Sequence, residues 1–346
     1  MKIVKIIGKA FSFVGIFLIS LVVMVYSMGL IFCYGPSIHA RNLFVTTLLE
    51  TGQMKFIVKL FMGSEKIQEI VDSNSLSSFN ESVDNSLIDT SQIHDINGIE
   101  LIEINGGTFT AKMIVVNDPS RVKLATVYDG SWKEYGITLD KMVNDNNAFA
   151  GVNGGLYVSD SNKGGRPMGL VVRDGVIEHN NPVGIAGLHL IGFDEDNVLN
   201  VIDLSGKNKS QVEKIIKEEK IRDAVAFQEE SSDANNHFVK LIINGEKREV
   251  NGSGSGANPR TAIGQRADGT VLLLVTDGRG ANGHLGATAA DLIDVMSEYG
   301  AVNAANIDGG SSSSMYYDGK YEMTSVTLYY SNSSWRLPTG FIVEKR

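Results

Sequence analysis

The sequence predicts an α+β fold: a large mixed, hairpin-rich sheet with a few packed helices, preceded by an N-terminal transmembrane helix. Three observations carry this. β-prone runs recur in pairs around Asn105-Gly106, Asp174-Gly175 and Asn244-Gly245, dipeptides suited to the left-handed positions of tight hairpins. Helical periodicity is confined to a few separate stretches. Residues 10–40 contain no Asp, Glu, Lys or Arg, and their apolar core exceeds the roughly 20 residues that cross a bilayer.

In chain order, residues 1–9 form a basic tail carrying Lys2, Lys5 and Lys9, which places that end in the cytoplasm. Residues 10–34 are the expected signal anchor. A cleaved signal peptide is the rival, but the apolar run is longer than a usual signal core and Ile38-His39-Ala40 is a poor cleavage site. The single-pass reading puts everything downstream outside the cell. Cys33 is the only cysteine, so no intrachain disulfide and no cysteine-based zinc site can form. Residues 41–71 read as a helical stalk, with Leu48, Leu49, Phe56, Leu60, Ile67 and Ile70 near helical spacing. Whether it lies along the membrane or docks on the domain stays open. Residues 72–92, rich in Ser, Asn and Asp, read as a linker.

The main domain is expected over 93–346. Ile99–Ile104 and Phe109–Val116 form the first hairpin. Gly169–Arg173 with Val176–His179, Leu188–Phe193 with Val198–Ile202, and Val239–Ile243 with Glu246–Val250 form others. Thr270–Thr276 holds four consecutive large aliphatics and reads as a strand buried on both faces. Ser210–Lys220 is an amphipathic helix. Thr288 with Asp291 forms a capping box that opens a second, and Gly300 stops it. Asn251–Ala257, rich in Gly and Ser, reads as a flexible loop.

Composition narrows the function. Forty acidic residues against 31 basic ones give a net charge of −9, which offers nothing to a nucleic acid by bulk attraction. An anionic substrate would need a local arginine or lysine clamp. Three strand ends deliver polar, glycine-rich turns: Asn153-Gly154-Gly155, Asp277-Gly278-Arg279 and Asp308-Gly309-Gly310, the last followed by Ser311–Ser314. Arg260, in Asn258-Pro259-Arg260-Thr261, precedes a strand. Glycines allow close approach to backbone, and exposed N–H groups with serine hydroxyls bind anionic oxygens. Blander readings stand beside these. Asp277 could cap a turn, Arg260 could be a structural ion pair, Asn153 could occupy a left-handed turn, and His284 could be an ordinary loop residue. Asp308 with Asp277 could hold a divalent cation, although no dense carboxylate cluster supports it; no cofactor or metal is expected.

The stretches GVNGGLY (151–157), NPRTAIGQRADGTVLLLVTDGR (258–279) and GAVNAANIDGGSSSSM (300–315) resemble, in content, order and spacing, the phosphodiester glycosidase family. Ser311 and Ser314 depart from its usual glycine and threonine. The resemblance covers about 93–346 and implies hydrolysis of the sugar C1–O bond of sugar-1-phosphodiesters. It suggests a phosphate-linked glycan substrate, such as an exopolysaccharide or cell-envelope polymer. A departing phosphomonoester is already a stable anion, so arginines can replace much of the acid catalysis that ordinary glycosidases need. On this reading Asp308 and Asp277 share the nucleophile and base roles. Arg260 and Arg279 clamp the phosphate. Asn153, Gly154, Gly155, Gly309, Gly310, Ser311 and Ser312 bind sugar or phosphate oxygens. A non-catalytic glycan-binding or polysaccharide-assembly protein and a metal-dependent phosphodiesterase are the alternatives.

Overall fold

A computed structural model describes every residue except 1, 53, 92–94, 327–331 and 346; the expected domain boundary at 92/93 and the final residue lie outside the described residues. The α+β class is observed. Among the described residues the strands divide into a seven-stranded sheet, two five-stranded sheets and one small hairpin.

Helix α1 (Lys2–Tyr34) is apolar and only 6% buried over Phe11–Tyr34. At 1.5 Å per residue that stretch is about 36 Å long, enough for a hydrocarbon layer of about 30 Å. Helix α2 (Ile38–Leu49) starts at Ser37, whose hydroxyl accepts the Ala40 N–H at 3.2 Å. Helices α3 (Lys55–Phe61) and α4 (Ser64–Asp72) fold back on it. Cys33, Val45, Leu49, Val58, Ile67 and Val71 close an apolar cluster among these four helices. Residues 74–85 then run over the main domain. Ser77 N–H donates to the Glu249 carbonyl, Lys240 Nζ to the Phe79 and Glu81 carbonyls, and the Asn85 amide to Asp194.

The seven-stranded sheet has the spatial order Ile99–Asn105, Thr110–Val116, Val271–Thr276, Thr261–Arg266, Ala301–Asn306, Lys240–Ile243, Glu246–Lys247, every pairing antiparallel. The second sheet runs Lys320–Met323, Met315–Tyr317, Ala148–Asn153, Thr339–Glu344, Val122–Thr126. The third runs Val176–Asn181, Gly169–Arg173, Ile221–Gln228, Leu188–Asp194, Leu199–Asp203. Their inner faces share one core. Ile263, Leu273 and Val275 come from the first sheet, Val152 and Phe341 from the second, and Ile191 and Val225 from the third. Each outer face carries a helix. Helix α7 (Ala289–Glu298) covers Leu272, Leu274 and Ala304 of the first sheet. Helix α5 (Leu139–Asp145) covers Ala148 and Ile342 of the second. Helix α6 (Lys209–Glu218) lays Val212 and Ile216 on the third.

Val271–Thr276 shows how patterning decides this. Alternate residues face opposite sides of a strand, so Leu273 enters the shared core while Leu272 and Leu274 meet α7. Two hairpin turns match their sequences, with φ of 49° and 74° at Asp174-Gly175, and 57° and 80° at Asn244-Gly245. The first hairpin is looser: Asn105 pairs with Thr110, and Gly106 N–H reaches the Phe109 carbonyl across a longer loop.

Candidate active site

Strand register brings the polar turns together. Thr261 lies opposite Val275 and Ala262 opposite Asn306. The start of Thr261–Arg266 and the ends of Val271–Thr276 and Ala301–Asn306 therefore lie side by side at one end of the large sheet. Asn153 arrives there from the second sheet. It is fully buried; its Nδ2 donates to the Asp308 carbonyl at 2.6 Å and its Oδ1 accepts from Thr261 Oγ1 at 2.7 Å and Ser314 N–H at 3.2 Å. These bonds brace the Asp308 turn from behind.

Asp308 follows directly. The Ser312 hydroxyl, the Gly309 N–H and the charge of Arg279 favour its ionised form. Burial dominates these and pushes its pKa up to about 7. Ser312 Oγ lies 3.0 Å from the Tyr157 hydroxyl, and burial together with the Asp308 charge holds that phenol protonated. Tyr157 closes the GVNGGLY stretch, and a tyrosine there carries no sequence signal of its partner 155 residues away.

Arg279 faces Asp308 from the neighbouring turn. Its backbone is left-handed, φ 53°, held by its N–H to the Leu285 carbonyl and by Gly280 N–H to the His284 carbonyl. Its Nη1 donates to Ser311 Oγ at 2.9 Å and its Nε to Asn258 Oδ1 at 3.3 Å. Nη2 makes no hydrogen bond among the described residues and lies over Gly310, where an added Cβ would sit 2.6 Å away. Burial and the nearby Arg260 lower its pKa to about 10, opposed by Asp308 and Glu50; it stays cationic at neutral pH.

Asp277 is differently employed. One oxygen accepts the Thr110 N–H at 2.8 Å, and the other meets His284 Nδ1 at 2.7 Å and the Asn282 amide at 3.4 Å. It is 5% exposed and pins both ends of the loop that carries Arg279. His284 is thus drawn into the site's frame through Asp277. Among the described residues no three His, Cys, Asp or Glu side chains gather as metal ligands.

Arg260 is also engaged. Its guanidinium forms a buried ion pair with Glu50, bonds the Ser255 hydroxyl and the Gly256 and Ala287 carbonyls, and stacks over Phe238. The Gly/Ser loop expected to be flexible is instead ordered: residues 254–257 are buried. Its glycines admit α2, since a Cβ on Gly256 would lie 2.3 Å from the Thr47 nitrogen. Glu50 carries no signal in the sequence, since it lies in a segment that reads only as a stalk, 210 positions from its partner Arg260.

The glycines divide by role. Gly154 N–H bonds the Thr339 carbonyl and Gly155 N–H the Thr339 hydroxyl. A Cβ on Gly155 would stand 2.6 Å from the Ala226 carbonyl oxygen. These two glycines let sheets approach and keep no donor for a ligand. Gly309 and Gly310 line the Asp308 turn, and Gly310 at φ 64° makes room for the Arg279 guanidinium.

The model of the phosphodiester glycosidase family matches residues 146–344. The fold is similar to that of the zebrafish N-acetylglucosamine-1-phosphodiester α-N-acetylglucosaminidase catalytic domain, auto-inhibited by its pro-peptide, with TM-score 0.56 and 17% identity over 75% of this chain and 87% of that one. In sequence, the chain is 29% identical over 162 residues to the SPbeta prophage-derived uncharacterized protein YomE of Bacillus subtilis (strain 168). That match covers 45% of this chain and only 23% of the relative's length.

Proposed function

This chain belongs to the phosphodiester glycosidase family, and we propose that it is a membrane-anchored, extracytoplasmic hydrolase of sugar-1-phosphodiesters in phosphate-linked glycans of the envelope or exopolysaccharide. The observation that carries the reading is one carboxyl and one guanidinium, Asp308 and Arg279, facing each other across Gly310 with Ser311 and Ser312 beside them. The apolar, exposed helix over Phe11–Tyr34 supports the anchor.

In this reading the ionised Asp308 acts at the sugar C1, as nucleophile or as base toward water. The C1–O bond breaks and its electron pair leaves with the phosphate; water's oxygen bonds C1, directly or by hydrolysing a glycosyl–Asp308 ester, and gives up a proton, leaving a free sugar and a phosphomonoester. Arg279 has a spare Nη2 to receive phosphate oxygens as their charge grows, where a fixed donor contributes most. Tyr157, kept protonated, and Ser312 orient Asp308 and donate to sugar hydroxyls. Asp277, through Thr110 and His284, holds the Arg279 loop in place; Asn153 holds the Asp308 turn.

The test is incubation of the full chain in detergent with a panel of sugar-1-phosphodiesters in heavy-oxygen water, with products read by mass. The proposal expects the label in the released sugar and none in the phosphomonoester. Label in the phosphate, with loss of activity to a chelator, would instead indicate a metal-dependent phosphodiesterase. Binding without turnover would indicate a glycan-binding protein.

A further inference from the structure

The helical segment after the membrane span reaches into the site through one carboxylate. Glu50, the residue that caps α2, is buried beside Arg260. One of its oxygens accepts from the Asn236 amide at 3.0 Å and the Gly256 N–H at 2.8 Å. The other accepts from the Asn258 amide at 3.2 Å and the Arg260 guanidinium. Two amides, a backbone N–H and a guanidinium converging on one oxyanion also suit phosphate oxygens. The cradle adjoins the catalytic turn, because Asn258 Oδ1 also accepts from Arg279, which in turn holds Ser311.

Two features set this contact apart from an ordinary buried ion pair. The cradle is held by the main domain itself: Arg260 is fixed by the Gly256 and Ala287 carbonyls and by Phe238. The helical segment, by contrast, keeps its apolar cluster to itself and meets the domain through polar groups. Thr47 Oγ1 accepts the Ala257 N–H, Lys55 bonds Asn235, and Lys59 lies 3.7 Å from Asp233.

We propose that Asn236, the Gly256 amide, Asn258 and Arg260 form an oxyanion subsite of the cleft for a phosphate group of the substrate, and that Glu50 occupies it in the resting chain as an internal stand-in. That the phosphate is the substrate's own rests on the hydrolase reading above; the occupancy does not. Displacing the segment would uncover a second guanidinium beside Arg279, so the position of the membrane-proximal helices would set activity.

The experiment uses the full chain in lipid nanodiscs, with Glu50→Ala and Glu50→Gln, and inorganic phosphate as probe against chloride at equal ionic strength. The expected result is a phosphate-dependent rise in melting temperature larger in the variants than in wild type, the excess abolished by adding Arg260→Ala. The variants should also show kcat/KM for a sugar-1-phosphodiester raised by about 10-fold or more, since an occupied site is competent only for the fraction of time it is open. Should Glu50→Ala fail to fold, Glu50→Gln, which keeps the shape, is read alone. The proposal is overturned if folded variants ignore phosphate, if wild type responds equally, or if neither variant folds. If phosphate binding is unmasked while no variant cleaves any phosphodiester, the subsite stands and the hydrolase reading falls.

Discussion

Replacing Arg279 separates a phosphate clamp from a structural arginine. The guanidinium is fixed at two points, Nη1 on Ser311 and Nε on Asn258, which leaves Nη2 over Gly310 for a ligand. Arg279→Lys keeps the charge but loses the fork, and with it at least one charge-assisted hydrogen bond worth about 1.5–3 kcal/mol. At about 1.4 kcal/mol per decade this is a fall of roughly 10- to 150-fold in kcat/KM. Arg279→Ala also removes the charge opposite the departing phosphate, and the loss should reach about 10²–10³-fold. The assay compares a sugar-1-phosphodiester with a nitrophenyl glycoside of the same sugar, whose leaving group carries no phosphate. Only the phosphodiester should suffer the full loss. Equal losses on both substrates would show that Arg279 merely supports the turn, and unchanged kinetics would remove it from the site altogether.

Further outcomes follow from the same geometry. Asp308→Asn should abolish turnover. In wild type, kcat/KM should fall about tenfold per pH unit below a midpoint near 7, because the carboxylate form is required and burial raises its pKa to about 7. A raised carboxyl pKa costs stability as pH climbs from the ordinary value of 3.8 through 7, so Asp308→Asn should raise the melting temperature at pH 8 but not at pH 3, followed by thermal denaturation. Arg260→Ala strands the buried Glu50 charge and should cost about 3–5 kcal/mol; Glu50→Gln in the same chain should recover much of that in urea titrations. Gly310→Ala and Gly280→Ala impose a similar backbone cost of about 1–2 kcal/mol, since φ is 64° and 88°. Only the former collides with Arg279, so only Gly310→Ala should also lose activity.

Local signals were the legible ones. The Asp174-Gly175 and Asn244-Gly245 turns, the Thr288/Asp291 capping box and the left-handed Gly300 after α7 each lie within a few residues of their cause. The motifs single out Asp308, Arg279 and Ser311, but their meeting depends on strand register, which sets the Asp-Gly turns at one end of the large sheet. Nor was the direction of each polar group legible. Asn153 and the two glycines after it look like ligand donors in a motif, yet the bonds they donate run to the Asp308 carbonyl and to Thr339. Asp277 resembles Asp308 in sequence, but Thr110 and His284 claim its oxygens. Which partner a buried group finds depends on segments far away in the chain, and periodicity says nothing about them. Division of the strands into three sheets escaped for the same reason, since hairpins reveal only their own pairing.

Thr339–Glu344 lies between Ala148–Asn153 and Val122–Thr126, although both precede it by far in the chain. Until that strand emerges during synthesis, both neighbours have open backbone edges, which invite pairing with other chains. Such distant closure is slow. The nascent protein would therefore wait, half built and sticky, for Thr339–Glu344. Deleting them should yield aggregates and not a trimmed enzyme, even though they contribute no side chain to the cleft's chemistry.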